Sequence, residues 1–289
     1  MNRESKSIHN STTIHDSRFS IHAPPAVLTI AGSDCSAGAG LQADLKTFTA
    51  LGVYGLTAVT CVVAEVPGKV SRIEAVEPRN VREQIELCLA NFPVGAIKTG
   101  LLFSADTVEI VAATLEKQAP QVPLVVDPVM VATSGDVLLQ PEAIELYRTR
   151  LFPRATVVTP NMAEAAALSG KPVRDLKEMG QVGRQLSEQF GTRFLIKGGH
   201  LGGERAIDLL ASQTEVREFE ASFVAGVSTH GTGCTYSAAI AAGLALGYSL
   251  EEAIERGKEF VSRAIREYFA WGKIHALNLS PGSPIPEGS

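Results

Sequence analysis

A glycine-rich motif, STHGTGCT at residues 228–235, runs into the small, apolar segment AAIAA at residues 238–242. A segment of only small and apolar residues is typical of a helix buried against a sheet. The motif therefore lies at a helix N-terminus, where unpaired backbone N–H groups and the helix dipole favour an anion. Gly231 and Gly233 allow the backbone to approach that anion closely, and phosphate is the natural candidate.

Cys234 falls in the first turn of this predicted helix, where a thiolate is favoured. An anion site beside a group that can accept a proton suits the transfer of a phosphoryl group to an alcohol. The alternative is a plain glycine-rich helix cap with a buried cysteine, because short glycine motifs also recur by chance.

Composition limits the classes of protein that this chain can represent. Its 289 residues are 45% hydrophobic and 20% charged, as in a globular protein with a substantial core. The net charge of −5 argues against nucleic acid or an anionic membrane as the main partner. The four cysteines have no CxxC spacing, and no apolar run reaches the length of a membrane span. A reducing cytoplasm is therefore the expected location.

Short apolar strands alternate with helical patterns along the chain. We predict parallel strands near residues 26–31, 58–64, 95–99, 123–126, 156–159 and 194–197, and an antiparallel pair at 206–210 and 216–223. Ser104 is the expected N-cap of a helix over 106–117, and a long helix over 250–268 closes the fold. This alternation predicts a single α/β domain with a mostly parallel central sheet.

The predicted domain covers residues 25–275. Residues 1–24 are rich in Ser, Thr, Asn and His and lack the apolar segment of a signal peptide, so we expect a disordered N-terminal extension. Residues 276–289 are rich in Pro, Gly and Ser and are expected to form a disordered C-terminal tail.

Polar side chains occur where the predicted strands end. In parallel sheets, ligands bind beyond the carboxyl ends of the strands, and packing does not require charge there. A first glycine-rich loop, GSDCSAGAG, occupies residues 32–40. A dinucleotide site is the alternative for this loop, but the acidic ribose partner that it needs has only Glu65 as a candidate. The polar residues at the strand ends are Ser33, Asp34, Glu65, Lys98, Asp127, Asn161, Glu164 and Lys197.

Six motifs in order resemble one known family. They are IAGSD at 30–34, GAGLQADLKT at 38–47, DPVM at 127–130, TPNxxE at 159–164, KGGH at 197–200 and HGTGCT at 230–235. Together they resemble the hydroxymethylpyrimidine/phosphomethylpyrimidine kinases of thiamine biosynthesis. The resemblance implies the ribokinase-like fold, a three-layer α/β/α sandwich, and it covers the chain from residue 26 to about residue 268.

The resemblance also implies an activity and a set of residue roles. Members transfer the γ-phosphoryl group of ATP, with magnesium, to 4-amino-5-hydroxymethyl-2-methylpyrimidine, and many then phosphorylate the monophosphate. Cys234 is the implied base, and the backbone of Gly231, Thr232 and Gly233 stabilises the transferred group. The implied pyrimidine contacts are Gly32, Asp44, Glu65 and Val129. The implied ATP contacts are Asn161, Lys197 and Thr232, and the implied magnesium ligands are Glu164 and Asp127.

One segment departs from the family pattern. Val66 and Pro67 stand where many members carry Asn-Thr, which removes two polar side chains and one backbone N–H. Pyridoxine/pyridoxal kinases of the same fold are the closest alternative. A non-catalytic nucleotide- or vitamin-binding regulator and a protein whose glycine loops only pack are the others. A homodimer is expected from the resemblance alone.

Overall fold

A computed structural model of the chain describes residues 23–130, 141–199, 201, 203–227 and 230–280. Several parts of the sequence predictions lie outside these described residues. They are the motif positions Ser228, Thr229 and His200, a loop predicted at 134–136, and residues 1–22 and 281–289 of the predicted tails.

In the described part of the chain, nine strands form one central sheet. Its strands are β1 (Ala26–Asp34), β2 (Tyr54–Val66), β3 (Lys69–Ala75), β4 (Val94–Thr99), β5 (Leu124–Val126), β6 (Val157–Val158), β7 (Phe194–Lys197), β8 (Arg205–Ala211) and β9 (Val216–Ser222). Their spatial order is β3-β2-β1-β4-β5-β6-β7-β8-β9. The six strands from β2 to β7 in this order pair in parallel, whereas β3, β8 and β9 join antiparallel at the two sides.

Helices cover both faces of the sheet. The chain forms α1 (Gly40–Ala50), α2 (Pro78–Asn91), α3 (Ala105–Gln118), α4 (Pro141–Leu146), α5 (Met162–Ser169), α6 (Leu176–Phe190), α7 (Thr232–Ala245) and α8 (Leu250–Arg266). A π turn at Tyr147–Leu151 and a 3-10 turn at Phe152–Arg154 follow α4. Neighbouring residues of β1 enter different cores: Val27 packs with residues of α7 and α8, and Leu28 packs with residues of α2 and α3. This is the predicted three-layer α/β/α architecture.

Small residues along α7 explain how it becomes buried. A Cβ at Gly243 would lie 2.8 Å from the Cβ of Ala253, and one at Gly257 would lie 3.1 Å from the ring of Tyr236. The two glycines therefore let α7 and α8 approach closely while α7 also packs on the sheet. None of the helices in the described part of the chain could span a membrane.

Two parts of the sequence prediction need correction. Strand β3 was not predicted because its mostly exposed, charged residues lack an apolar pattern. The domain does not end at residue 275: the hairpin of β10 (Phe269–Trp271) and β11 (Ile274–Ala276) leads into Leu277 and Leu279, which are buried against α8. Residues 276–280 thus belong to the folded domain.

Candidate active site

Helix α7 begins at the carboxyl edge of the sheet, where its first turn lies between two loops. Gly231 is the N-cap residue with φ +80°, and no side chain of the described residues caps the helix. A Cβ at Gly231 would overlap the carbonyl oxygen of Gly38, so the two glycine-rich loops touch at this point. Among the described residues, the buried hydroxyl oxygen of Thr232 has no hydrogen-bond partner. This helix N-terminus is therefore free to bind an anion.

Asp34, at the end of β1, holds the two glycine-rich loops together. Its carboxylate accepts hydrogen bonds from the backbone N–H groups of Ser36 (2.7 Å) and Ala39 (2.8 Å), and it lies 3.2 Å from Nε2 of His230. Burial raises the pKa of Asp34, but the hydrogen bonds from His230 and the loop outweigh burial and bring the pKa to about 2.

A buried ion pair lies beneath the site. Nζ of Lys98, on β4, is 3.0 Å from Oδ1 and 2.8 Å from Oδ2 of Asp44, on α1, and the hydroxyl of Thr29 donates to the same Oδ2 at 2.6 Å. Both charged side chains are 0% exposed. Burial lowers the pKa of Lys98, but the Asp44 carboxylate outweighs it and holds that pKa above its usual value, so Lys98 is charged.

Asp127 is the centre of a second polar group, at the end of β5. It accepts hydrogen bonds from Nζ of Lys197 (3.1 Å) and from the hydroxyl groups of Thr159 (3.3 Å) and Ser237 (3.1 Å). A Cβ at Gly233 would lie 3.1 Å from Nζ of Lys197. The lysine ammonium group is therefore beside the anion-binding turn of α7.

Glu164 and Asn161 form a capping box at the start of α5. Oδ1 of Asn161 accepts from the N–H of Glu164 (2.9 Å), and the N–H of Asn161 donates to Oε2 of Glu164 (2.8 Å). The N–H of Met130 donates to Oε1 of Glu164 at 3.2 Å. Burial and the charge of Asp127 raise the pKa of Glu164 to about 7, although the charge of Lys197 lowers it.

This raised pKa bears on the metal that the family resemblance implies. Burial is the main cause of this raised pKa, and repulsion by the charge of Asp127 adds to it, whereas Lys197 opposes both. A divalent cation with oxygen ligands would relieve that repulsion, so the two carboxylates fit magnesium.

A second group of possible metal ligands lies nearby: the ligand atoms of Asp34, Glu65 and His230 are within 4.8 Å of one another. Asp34 is already hydrogen-bonded to His230 and to its own loop, so this group is the weaker candidate for magnesium.

Cys234 differs from its prediction. Burial raises the pKa of its thiol to about 11, although the charge of Lys98 and a hydrogen bond from the N–H of Gly40 lower it. The position in the first turn of a helix predicted the opposite direction. The tertiary structure partly buries Cys234 between α7 and the start of α1, and this desolvation outweighs the local helix effect.

The remaining predicted site residues surround the same edge. Gly32 packs on β2, since a Cβ there would lie 2.7 Å from Sγ of Cys61. Glu65 is half-buried, and burial together with the charge of Asp34 raises its pKa. Val129 is half-buried two residues after Asp127. Val66 is 45% exposed at the tip of the β2–β3 hairpin.

Sequence reasoning missed three partners of the predicted residues. Thr29 was treated as part of an apolar strand, although it lies directly opposite Lys98 in the sheet register. Ser237 is one turn after Gly233 in α7, and that spacing could have suggested it. The contact of His230 with Asp34 joins residues 196 positions apart, and no local pattern predicts it.

Comparisons with known proteins identify related chains. The family described as phosphomethylpyrimidine kinase matches residues 34–278. A hydroxymethylpyrimidine/phosphomethylpyrimidine kinase of Streptomyces coelicolor is 44% identical over 86% of this chain and 91% of its own length. A bifunctional thiamine biosynthesis protein of Geobacter sulfurreducens is 42% identical over 86% of this chain, which spans only 51% of that relative.

A solved structure supports the same relationship. The ADP complex of Bacillus subtilis pyridoxal kinase superposes with a TM-score of 0.82 and 36% identity, covering 88% of this chain and 97% of that one. The order of layers and the parallel sheet are therefore those of a solved kinase.

Proposed function

The chain belongs to the phosphomethylpyrimidine kinase family, and on this premise we propose that it uses ATP to phosphorylate 4-amino-5-hydroxymethyl-2-methylpyrimidine. It then phosphorylates the monophosphate to the pyrophosphate, in thiamine biosynthesis. One observation carries the proposal: Nζ of Lys197 lies beside the first turn of α7, which also contains Cys234. An anion site, a cation and a proton acceptor are the groups that phosphoryl transfer to an alcohol requires.

The phosphate end of the site consists of α7 and Lys197. The N–H groups of Gly231, Thr232, Gly233 and Cys234 bind the transferred phosphoryl group and stabilise the charge that develops on it. The unpartnered hydroxyl of Thr232 supplies a further donor. Lys197, charged because Asp127 and Glu164 outweigh its burial and raise its pKa, contacts the phosphates of ATP.

Asp127 and Glu164 would hold magnesium, and Asn161 would contact ATP beside them. The capping box and the N–H of Met130 fix the orientation of the Glu164 carboxylate before any ligand arrives. A magnesium ion held by these residues would supply positive charge that offsets the negative charge of the ATP phosphates.

The pyrimidine lies on the other side of the α7 turn, among Gly32, Asp44, Glu65 and Val129. A carboxylate suits an aminopyrimidine, which presents an N–H donor beside a ring nitrogen. Glu65 fits this contact because its side chain is half-buried and lies near Asp34 and His230 at the same edge of the sheet. Asp44 lies beneath this end of the site, fully buried, with Lys98 and Thr29 on its carboxylate, so its contact with the pyrimidine stays a prediction.

Cys234 accepts the proton of the hydroxymethyl group. The alcohol oxygen bonds to the γ-phosphorus as the bond from that phosphorus to the β-phosphate oxygen breaks, and ADP leaves. With a pKa of about 11 the thiol is mostly protonated near neutral pH, so the thiolate is a strong but scarce base.

A coupled assay that measures ADP formation tests the proposal with hydroxymethylpyrimidine, its monophosphate and pyridoxal as acceptors. We expect the highest kcat/KM with hydroxymethylpyrimidine and measurable turnover with the monophosphate. Absence of ADP formation with both pyrimidines would refute it.

Pyridoxal phosphorylation is the second candidate function. The similarity to a Bacillus subtilis pyridoxal kinase structure and to a pyridoxine kinase of the same organism, 41% identical over 249 residues, favours it. Turnover of pyridoxal above that of hydroxymethylpyrimidine in the same assay would support this reading. The homodimer and the cytoplasmic location stay predictions.

A further inference from the structure

A second buried ion pair lies outside the residues assigned so far. Nζ of Lys258, on α8, is 2.6 Å from Oδ2 of Asp208, on β8. The two residues are 6% and 3% exposed. Removing both charges from water costs much of the free energy that their attraction contributes. Apolar residues of similar size in the same place often stabilise a fold equally or more. Stability alone therefore does not explain this pair.

The other oxygen of Asp208 reaches a loop of the proposed nucleotide site. Oδ1 of Asp208 accepts a hydrogen bond of 2.9 Å from the N–H of Gly198. Gly198 directly follows Lys197, which lies opposite Asp208 in the β7–β8 register. A Cβ at Gly198 would overlap the carbonyl oxygen of Ile207 and lie 2.7 Å from Cε of Met179. The backbone after Lys197 is thus held from two sides.

The pair is also connected to the helix that forms the anion site. Tyr236, on α7, donates its hydroxyl to the carbonyl oxygen of Ile254 on α8 at 3.3 Å. Burial and the Asp208 carboxylate raise the pKa of Tyr236, so its hydroxyl stays neutral beside the pair. Asp208, on β8, therefore contacts both Lys258 of α8 and the backbone that follows Lys197. It also lies near α7, whose first turn faces Lys197.

We propose that Asp208 and Lys258 are positioning residues for nucleotide binding: they fix the N–H of Gly198 and so set the position of the Lys197 ammonium group against the first turn of α7. This inference rests on the proposed contact of Lys197 with the phosphates of ATP. Lys258 orients the carboxylate of Asp208, Asp208 orients Gly198, and neither side chain touches the acceptor alcohol.

Nucleotide titration of Lys258→Met tests the inference. Magnesium-ADP binding is measured by calorimetry, and KM is measured separately for ATP and for hydroxymethylpyrimidine, all well below the melting temperature. We expect the Kd for ADP and the KM for ATP to rise about tenfold or more, in line with the loss of a charged hydrogen bond. The KM for hydroxymethylpyrimidine should stay within about twofold, since the pair is remote from that end of the site.

Matched variants separate positioning from stability. Lys258→Arg keeps the charge and should restore most of the ADP affinity, whereas Glu109→Gln breaks an ion pair with Arg150 on the opposite face and should change neither constant. Should Lys258→Met fail to fold, Asp208→Asn carries the test: it keeps an oxygen for Gly198 but presents an NH2 donor to Lys258, so it should also raise the Kd for ADP. A fall in melting temperature with unchanged ADP affinity would overturn the inference. Failure of the wild-type protein to bind ADP would instead refute the proposed function.

Discussion

The ammonium group of Lys98 lies 2.8 Å from Oδ2 of Asp44, and neither side chain has any exposed surface. The hydroxyl of Thr29, on the same face of the sheet as Lys98, also donates a hydrogen bond to the carboxylate of Asp44. Asp44 thus has a structural partner in addition to the pyrimidine contact proposed for it. Variants of the two partners can separate these roles, because each breaks the same ion pair and only one removes the carboxylate.

Asp44→Asn should lower kcat/KM for hydroxymethylpyrimidine by about 10- to 100-fold, the effect of losing a hydrogen bond to a charged group. The kcat/KM for pyridoxal should fall less, so the ratio of kcat/KM for hydroxymethylpyrimidine to kcat/KM for pyridoxal should decrease. The melting temperature should also fall, because the variant leaves Lys98 buried without its charge partner. The two specificity constants and the melting temperature are measured on the same preparation.

Lys98→Met is the matched control. It breaks the same ion pair and should lower the melting temperature to a similar degree, but it retains the carboxyl group of Asp44, although burial favours its neutral form once Lys98 is gone. The ratio of the two specificity constants should therefore change less than in Asp44→Asn. An equal decrease of this ratio of kcat/KM values in both variants would show that Asp44 acts only by supporting the fold.

Cys234 predicts a pH dependence. Because burial raises its pKa to about 11, the thiolate fraction increases about tenfold per pH unit between pH 7 and pH 9. We expect kcat/KM for hydroxymethylpyrimidine to rise with pH over this range. Cys234→Ala should retain ADP binding, lose about 10²–10⁴-fold in turnover and show a flat pH profile, as removal of a general base requires.

Cys234→Asp is the informative companion variant, because a carboxylate is ionised throughout this range. Its activity should exceed that of Cys234→Ala and should be independent of pH. Near-normal turnover by Cys234→Ala would exclude the thiol as the base.

Asp34 predicts an acid dependence of stability. Its pKa is about 2 in the folded protein, below its value of 3.8 when unperturbed, so the folded state favours the ionised carboxylate. This stabilisation is fully present above about pH 4 and is lost as the pH falls through 2. Asp34→Asn should therefore melt at a lower temperature than the wild type at pH 6, and the difference should shrink as the pH falls toward 3. A difference that does not change with pH would contradict the assignment.

Local patterns were sufficient to predict much of this fold. Apolar runs located the parallel strands, and Ser104 was confirmed as the N-cap of α3, where its hydroxyl accepts from the N–H of Thr107. The polar residues at the strand ends predicted the location of the candidate site, because parallel strands place their carboxyl ends at one edge of the sheet. Such features depend on residues close together in sequence or on a rule shared by all parallel sheets.

Features that depend on tertiary packing were not predicted. The partner of Lys98 is 54 residues away on a helix, and the pKa of Cys234 depends on how deeply α7 and α1 bury its sulfur. Strand β3 is stabilised by backbone pairing with β2 at the side of the sheet, so its sequence needs no apolar face. Leu277 and Leu279 lie in a Pro- and Gly-rich region, yet they pack against α8.

Glu164 offers a direct test of the magnesium site. Glu164→Gln should raise the magnesium concentration needed for half-maximal activity and slow phosphoryl transfer, while the fold stays intact because Gln also completes a capping box. Since the pKa of Glu164 is raised to about 7, a proton should compete with the metal below that pH, so the wild type should need more magnesium as the pH falls from 8 to 6. The variant should lose this dependence.

Glu252→Gln changes the matching residue of the exposed capping box at Ser249 and should behave as the wild type. An unchanged magnesium requirement in Glu164→Gln would leave Glu164 with the capping role alone.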